Sequence, residues 1–85
     1  MNRYRVEFSS HAARQFRKFP ASIQGRIRPR ILALAADPRP AGAVKLTGLD
    51  AFRIRVGDYR VIYEIRDDVL LVLVLSVGHR REVYG

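Results

Sequence analysis

Eighty-five residues make one domain, 1–85, with enough chain for a single small core and little margin, because domains of this size bury only about 60–65% of their unfolded surface. The chain has no cysteine, which excludes a disulfide framework and a thiolate zinc site and fits a reducing cytoplasm. Its sixteen basic residues against eight acidic ones give a formal net charge of +8, and fourteen of the sixteen are arginine, whose planar fork matches phosphate.

The N-terminal stretch 3-RYRVEF-8 alternates, which predicts a strand with Tyr4, Val6 and Phe8 inward, and Ser9 or Ser10 can cap the helix that follows. In 11-HAARQFRKF-19, Ala12, Phe16 and Phe19 share one helical face and Arg14, Arg17 and Lys18 lie outside it. Pro20 suits the first turn of a second helix, in which Ile23, Ile27, Ile31 and Leu34 recur at helical spacing to about Ala36. Pro29 falls inside that pattern and should kink the helix against the carbonyl of Gly25. The segment 37-DPRPAG-42 reads as a turn, and 44-VKLTGL-49 begins a run of strands.

The hairpin 52-FRIRVGDYRVIY-63 comes next. Gly57 at the first central position suits a two-residue type II′ turn, so Val56 should oppose Tyr59 and Arg55 should oppose Arg60. An Asp67-Asp68 turn then leads into the apolar strand 69-VLLVLVLSV-77, too short to span a bilayer and apolar at both parities, hence central in the sheet. If that turn is tight, Tyr59 opposes Ser76, and Gly78 breaks the strand. The expected architecture is α+β in the order β-α-α-β-β-β, a helical hairpin on one face of a small, mainly antiparallel sheet.

Arg53, Arg55 and Arg60 share the sheet face away from the helices, and like charges opposite one another destabilise by up to about 1 kcal/mol. An anion is the missing partner. A GC-rich genome would also supply arginine, so placement carries more information than total charge. Residues 1–44 hold nine basic and two acidic side chains, a general electrostatic footprint, whereas residues 45–85 hold seven and six and must be read by position. The tail 78-GHRREVYG-85 then adds His79, Arg80, Arg81 and Tyr84, which can converge with the hairpin arginines on one concavity.

The chain resembles the RelE family of bacterial type II toxins, most sharply in 45-KLTGLDAFRIRVGDYRVIYEIRDD-68 and 76-SVGHRREVY-84. The resemblance implies a ribosome-dependent endoribonuclease that acts on messenger RNA in the A site. By position it assigns function to Arg53, Arg55, Arg60, Arg80 and Tyr84. Lys45 and Arg81 join Arg53 and Arg55 as expected substrate contacts, while Arg60, Arg80, Tyr84 and His79 are the expected catalytic set. It also implies a cognate antitoxin, acidic and partly disordered, with the ribosome and messenger RNA as further partners and no membrane association.

Such residues suit attack of an RNA 2′-hydroxyl on its adjacent phosphate, which needs a base, cations for the developing charge and an acid for the leaving 5′-oxygen. The acidic residues form no ligand cluster and His11 and His79 are far apart in sequence, so neither a metal nor another cofactor is expected. The resemblance favours Tyr84 as base and the intrinsic pKa favours His79; both stand as candidates. Two rivals remain: a ParE-like toxin that inhibits DNA gyrase by binding protein, and an RNA-binding module indifferent to Tyr84 and His79.

Overall fold

The computed structural model describes residues 3–48 and 50–79. Ser9 opens helix α1 (Ser10–Arg17): its backbone is extended and its Oγ accepts the Ala12 N–H at 3.1 Å, which satisfies one of the helix's orphan donors. Helix α2 (Ala21–Leu32) follows directly after Pro20 and runs through Pro29, ending in a short 3-10 turn at Ala33–Ala35. Ala12, Phe16, Ile27, Ile31 and Leu34 are buried on the inner side, while Arg14, Arg17, Lys18, Arg26, Arg28 and Arg30 are exposed.

The helices pack on a five-stranded sheet ordered β1-β5-β4-β3-β2, with β1 at Arg5–Phe8, β2 at Val44–Lys45, β3 at Phe52–Val56, β4 at Tyr59–Arg66 and β5 at Leu71–His79. β1 runs parallel to β5 and the other pairs are antiparallel, which makes the sheet mixed. The α+β fold read from the sequence as β-α-α-β-β-β, a helical hairpin on a mainly antiparallel sheet, is observed, with the two-residue β2 counted as a further strand before the hairpin. β2 is shorter than the expected strand from Val44, because the chain turns away through Gly48, whose φ of 77° is a left-handed conformation that glycine adopts without strain.

Val61, Tyr63, Val72, Val74 and Val77 are fully buried beneath the helices. Tyr63 puts a large ring there with its polar end satisfied: the hydroxyl donates to the Pro38 carbonyl at 2.7 Å, and burial pushes its pKa up to about 12. At the same end of the sheet, Asp67 accepts from the Tyr4 hydroxyl and from two nitrogens of Arg39, whose guanidinium also lies 5.5 Å over the Phe52 ring. This clasp ties β1, the turn after α2 and the β4–β5 loop together. The Arg39 bonds, then the Tyr4 bond, hold the Asp67 carboxyl below its usual range, and the bond to Asp67 raises the Tyr4 hydroxyl.

The β4–β5 register differs from the expected one. The connection is a four-residue loop, Asp67 to Leu70, with Leu70 at a φ of 52°, so Arg66 pairs with Leu71. Farther along, Tyr63 pairs with Val74 but Ile62 pairs with Ser76, which leaves Leu75 as a bulge. The longer loop and the bulge together set Tyr59 opposite His79 rather than Ser76, and the strand continues through Gly78 instead of breaking there.

Candidate functional site

The β3–β4 hairpin has the register read from the sequence: Val56 opposes Tyr59, Arg55 opposes Arg60 and Arg53 opposes Ile62. Gly57 has a φ of 60° and Asp58 is not left-handed, the signature of a type II′ turn. A Cβ on Gly57 would lie 2.7 Å from Nη2 of Arg26, the mobile end of a long side chain, so the positive φ is what favours glycine there. Arg26 therefore brings a cation from α2 over the turn, a contribution that sequence spacing does not reveal.

Directly opposed residues in neighbouring strands project to the same side. Ile54, Val56, Val61 and Tyr63 face the helices, so Arg53, Arg55 and Arg60 occupy the opposite face, as expected. Arg55 is exposed; Arg53 and Arg60 are half-buried, with each Nε shut off from solvent. The Arg53 Nε has no hydrogen-bond partner among the described residues, and neither Arg53 nor Arg55 forms an ion pair there. Across β5, the residue beside Arg60 is the buried Gly78, which puts no side chain next to the guanidinium. Among the described residues the result is a cationic patch suited to an oxyanion or a phosphodiester.

His79 and Lys45 are not brought to this patch. His79 opposes Tyr59 on the helix side of the sheet; its ring meets that of Tyr59 edge-on at 5.7 Å, and Tyr59 in turn packs on Phe19 at 5.2 Å. Lys45 opposes Phe52, likewise on the helix side, and borders an open depression with Leu46, Thr47, Gly48 and Asp50. Arg80, Arg81 and Tyr84 lie outside the described residues. Glu64 pairs with Arg66 at 2.6 Å. Among the described residues no three His, Asp or Glu side chains cluster as a metal site would require, and no helix is long and apolar enough to cross a membrane.

The same arrangement of elements recurs in known proteins. Residues 6–84 match the family described as the ParE toxin of type II toxin–antitoxin system, parDE. The mRNA interferase toxin RelE of Escherichia coli (strain K12) is 30% identical over 96% of this chain and 90% of its own length. Toxin RelG of Mycobacterium tuberculosis is 33% identical over 95% of each. Among solved structures, a RelBE toxin–antitoxin complex from Mycobacterium tuberculosis superposes with a TM-score of 0.82 at 30% identity, covering 92% of this chain and 99% of that one. The isolated Escherichia coli RelE toxin gives 0.80 at 29%, covering 95% and 90%. Near-complete coverage in both directions, with two helices on a mixed five-stranded sheet in the same order, makes this chain a member of the RelE family of type II toxin–antitoxin toxins, within the RelE/ParE superfamily.

Proposed function

We propose that this toxin is a metal-independent endoribonuclease that cleaves messenger RNA in the ribosomal A site and so arrests translation in the cytoplasm. One observation carries the reading: Arg55 faces Arg60, with Arg53 alongside and Gly78 across, in a part of the sheet where, among the described residues, no carboxylate is paired with Arg53 or Arg55. Relatives named mRNA interferase support it.

The proposed reaction is attack of the 2′-hydroxyl on its own adjacent phosphate, leaving a 2′,3′-cyclic phosphate and a 5′-hydroxyl. Arg60 and Arg80 stabilise charge on the phosphoryl oxygens, and Arg53, Arg55 and Arg81 hold the flanking backbone. Tyr84 is the proton acceptor. The contact of His79 with Tyr59, on the side away from Arg60, makes it the weaker candidate. A cognate antitoxin, acidic and partly disordered, neutralises the toxin by covering this basic surface; several similar structures are RelB–RelE complexes.

Mapping the 5′ ends of messenger RNA after brief induction tests the reading, with cuts expected inside translated codons. Intact messages with arrested replication would instead establish the gyrase-directed reading, which the name of the matching family favours. Unimpaired growth with soluble, folded toxin present would eliminate both. Tyr84→Phe should nearly abolish cleavage while His79→Gln leaves most of it. Wild-type cleavage should keep rising well above pH 7 and persist in excess chelator wherever the ribosome stays intact.

A further inference from the structure

The end of β5 loses its strand neighbour before the strand stops. β1 pairs with β5 only as far as Phe8 opposite Val74, and from there α1 takes over. Ser9 N–H donates to the Val74 carbonyl at 2.8 Å and Ser9 Oγ to the Leu75 carbonyl at 3.2 Å. One turn and a half farther along the helix, Gln15 Oε1 accepts both the Val77 N–H at 2.8 Å and the Ser76 hydroxyl at 3.2 Å. Four consecutive residues, Val74 to Val77, are thus bonded to the N-cap and to the side chain of Gln15 in α1, and the bulged residue Leu75 lies among them.

The bulge decides which face the end of β5 presents. Continued without it, the pairing of Tyr63 with Val74 would set Val77 opposite Arg60 and Gly78 opposite Tyr59. A one-residue slip of this kind moves every later side chain to the other face. With the bulge, Val77 is fully buried under the helices and Gly78 lies beside Arg60. Gln15 sits on the same helical side as Ala12, Phe16 and Phe19, a partly buried polar residue among apolar ones, and its carbonyl oxygen is spent on the strand rather than on water.

We infer that Gln15 is a positioning residue: by accepting from Val77 N–H and Ser76 Oγ it locks the Leu75 bulge, and so sets Gly78 beside Arg60 and His79 opposite Tyr59. It touches neither RNA nor the reacting phosphate; it acts through the register of β5. The catalytic consequence rests on the nuclease reading above, whereas the register itself does not.

The test compares Gln15→Met, which keeps the length of the side chain and removes the carbonyl acceptor, with Gln15→Glu, which retains an acceptor. In Gln15→Met the Val77 amide should exchange about tenfold faster. The cross-strand contact between Arg60 and Gly78 should weaken in nuclear Overhauser spectra. Single-turnover cleavage at saturating toxin should fall about 10²-fold with half-saturation unchanged within about twofold, as for a misplaced rather than a missing group. Gln15→Glu should restore exchange, contact and rate. Should Gln15→Met fail to fold, Gln15→Asn withdraws the amide by one methylene and carries the same expectation. Unchanged exchange and register in the Met variant would overturn the inference, and so would an equal loss of rate in the Glu variant. A parent chain that cleaves nothing would defeat the nuclease reading and leave exchange and register to decide the role of Gln15.

Discussion

The two ends of the sheet treat arginine in opposite ways. Near the β4–β5 loop, Arg66 pairs with Glu64 and Arg5 with Glu7, each at 2.6 Å, and Arg39 reaches Asp67 at 2.9 Å. At the hairpin end, Arg55 faces another arginine, and Arg53 buries its Nε with no hydrogen-bond partner among the described residues. On β4, Arg66 lies two residues from Glu64 on the same face and bonds to it. Arginine is abundant throughout, so its number is uninformative, and the position of the carboxylates separates the paired arginines from Arg53 and Arg55, which form no ion pair among the described residues. Exposed pairs of the first kind contribute only about 0–1 kcal/mol, whereas cations of the second kind contribute through whatever anion they hold.

The largest expected effect breaks this comparison if it fails. Arg60→Ala should lower single-turnover cleavage by about 10²–10³-fold at saturating toxin, while Arg66→Ala should change it by less than about twofold. Similar losses from both would show that the paired end also meets the substrate. Next in size is the hairpin turn: Gly57→Ala meets an unfavourable φ of 60° and the Arg26 guanidinium, and should destabilise the fold by about 1–2 kcal/mol in urea titration. A neutral result would mean that the turn shifts and Arg26 swings away.

Smaller still, Arg14→Ala and Arg17→Ala on the exposed side of α1 should weaken ribosome association and reduce its logarithmic salt dependence by about one unit each, with chemistry intact once bound. The smallest effect belongs to the clasp. Asp67 has a depressed folded pKa, so its contribution is present above the unfolded carboxylate value of about 4 and is lost as pH falls through the folded value. Tyr4 is raised, so its contribution holds below about pH 10 and is lost as pH rises through the folded value. Thermal unfolding of Asp67→Asn across pH should show both dependences flattened, with no change in cleavage at neutral pH.

Much of this was legible residue by residue. The Gly57-Asp58 turn sets the Arg55–Arg60 pairing because a two-residue loop leaves one register, and a period of two then assigns every side chain in β3 and β4 to a face. The pair Ser9-Ser10 announces the start of α1 for an equally local reason, since a capping hydroxyl accepts from an amide of the next turn, as Ser9 does from Ala12. The separation of His79 from the arginines was not legible. It depends on a loop closed by Leu70 in a left-handed conformation and on a bulge at Leu75, each of which shifts the pairing with no mark in the alternation of apolar residues.

By itself, then, the sequence determined the elements, their order, the inner faces of the helices and the arginine hairpin, because capping, helical spacing, strand alternation and a tight turn all act over a few residues. Tertiary structure decided the register of β5 against β4, the side of the sheet taken by His79 and Lys45, and the joining of Gln15 to Val77 across 62 positions of chain. Those outcomes belong to packing, where a single hydrogen-bonded side chain from a helix can select between two registers that local propensity leaves nearly equal.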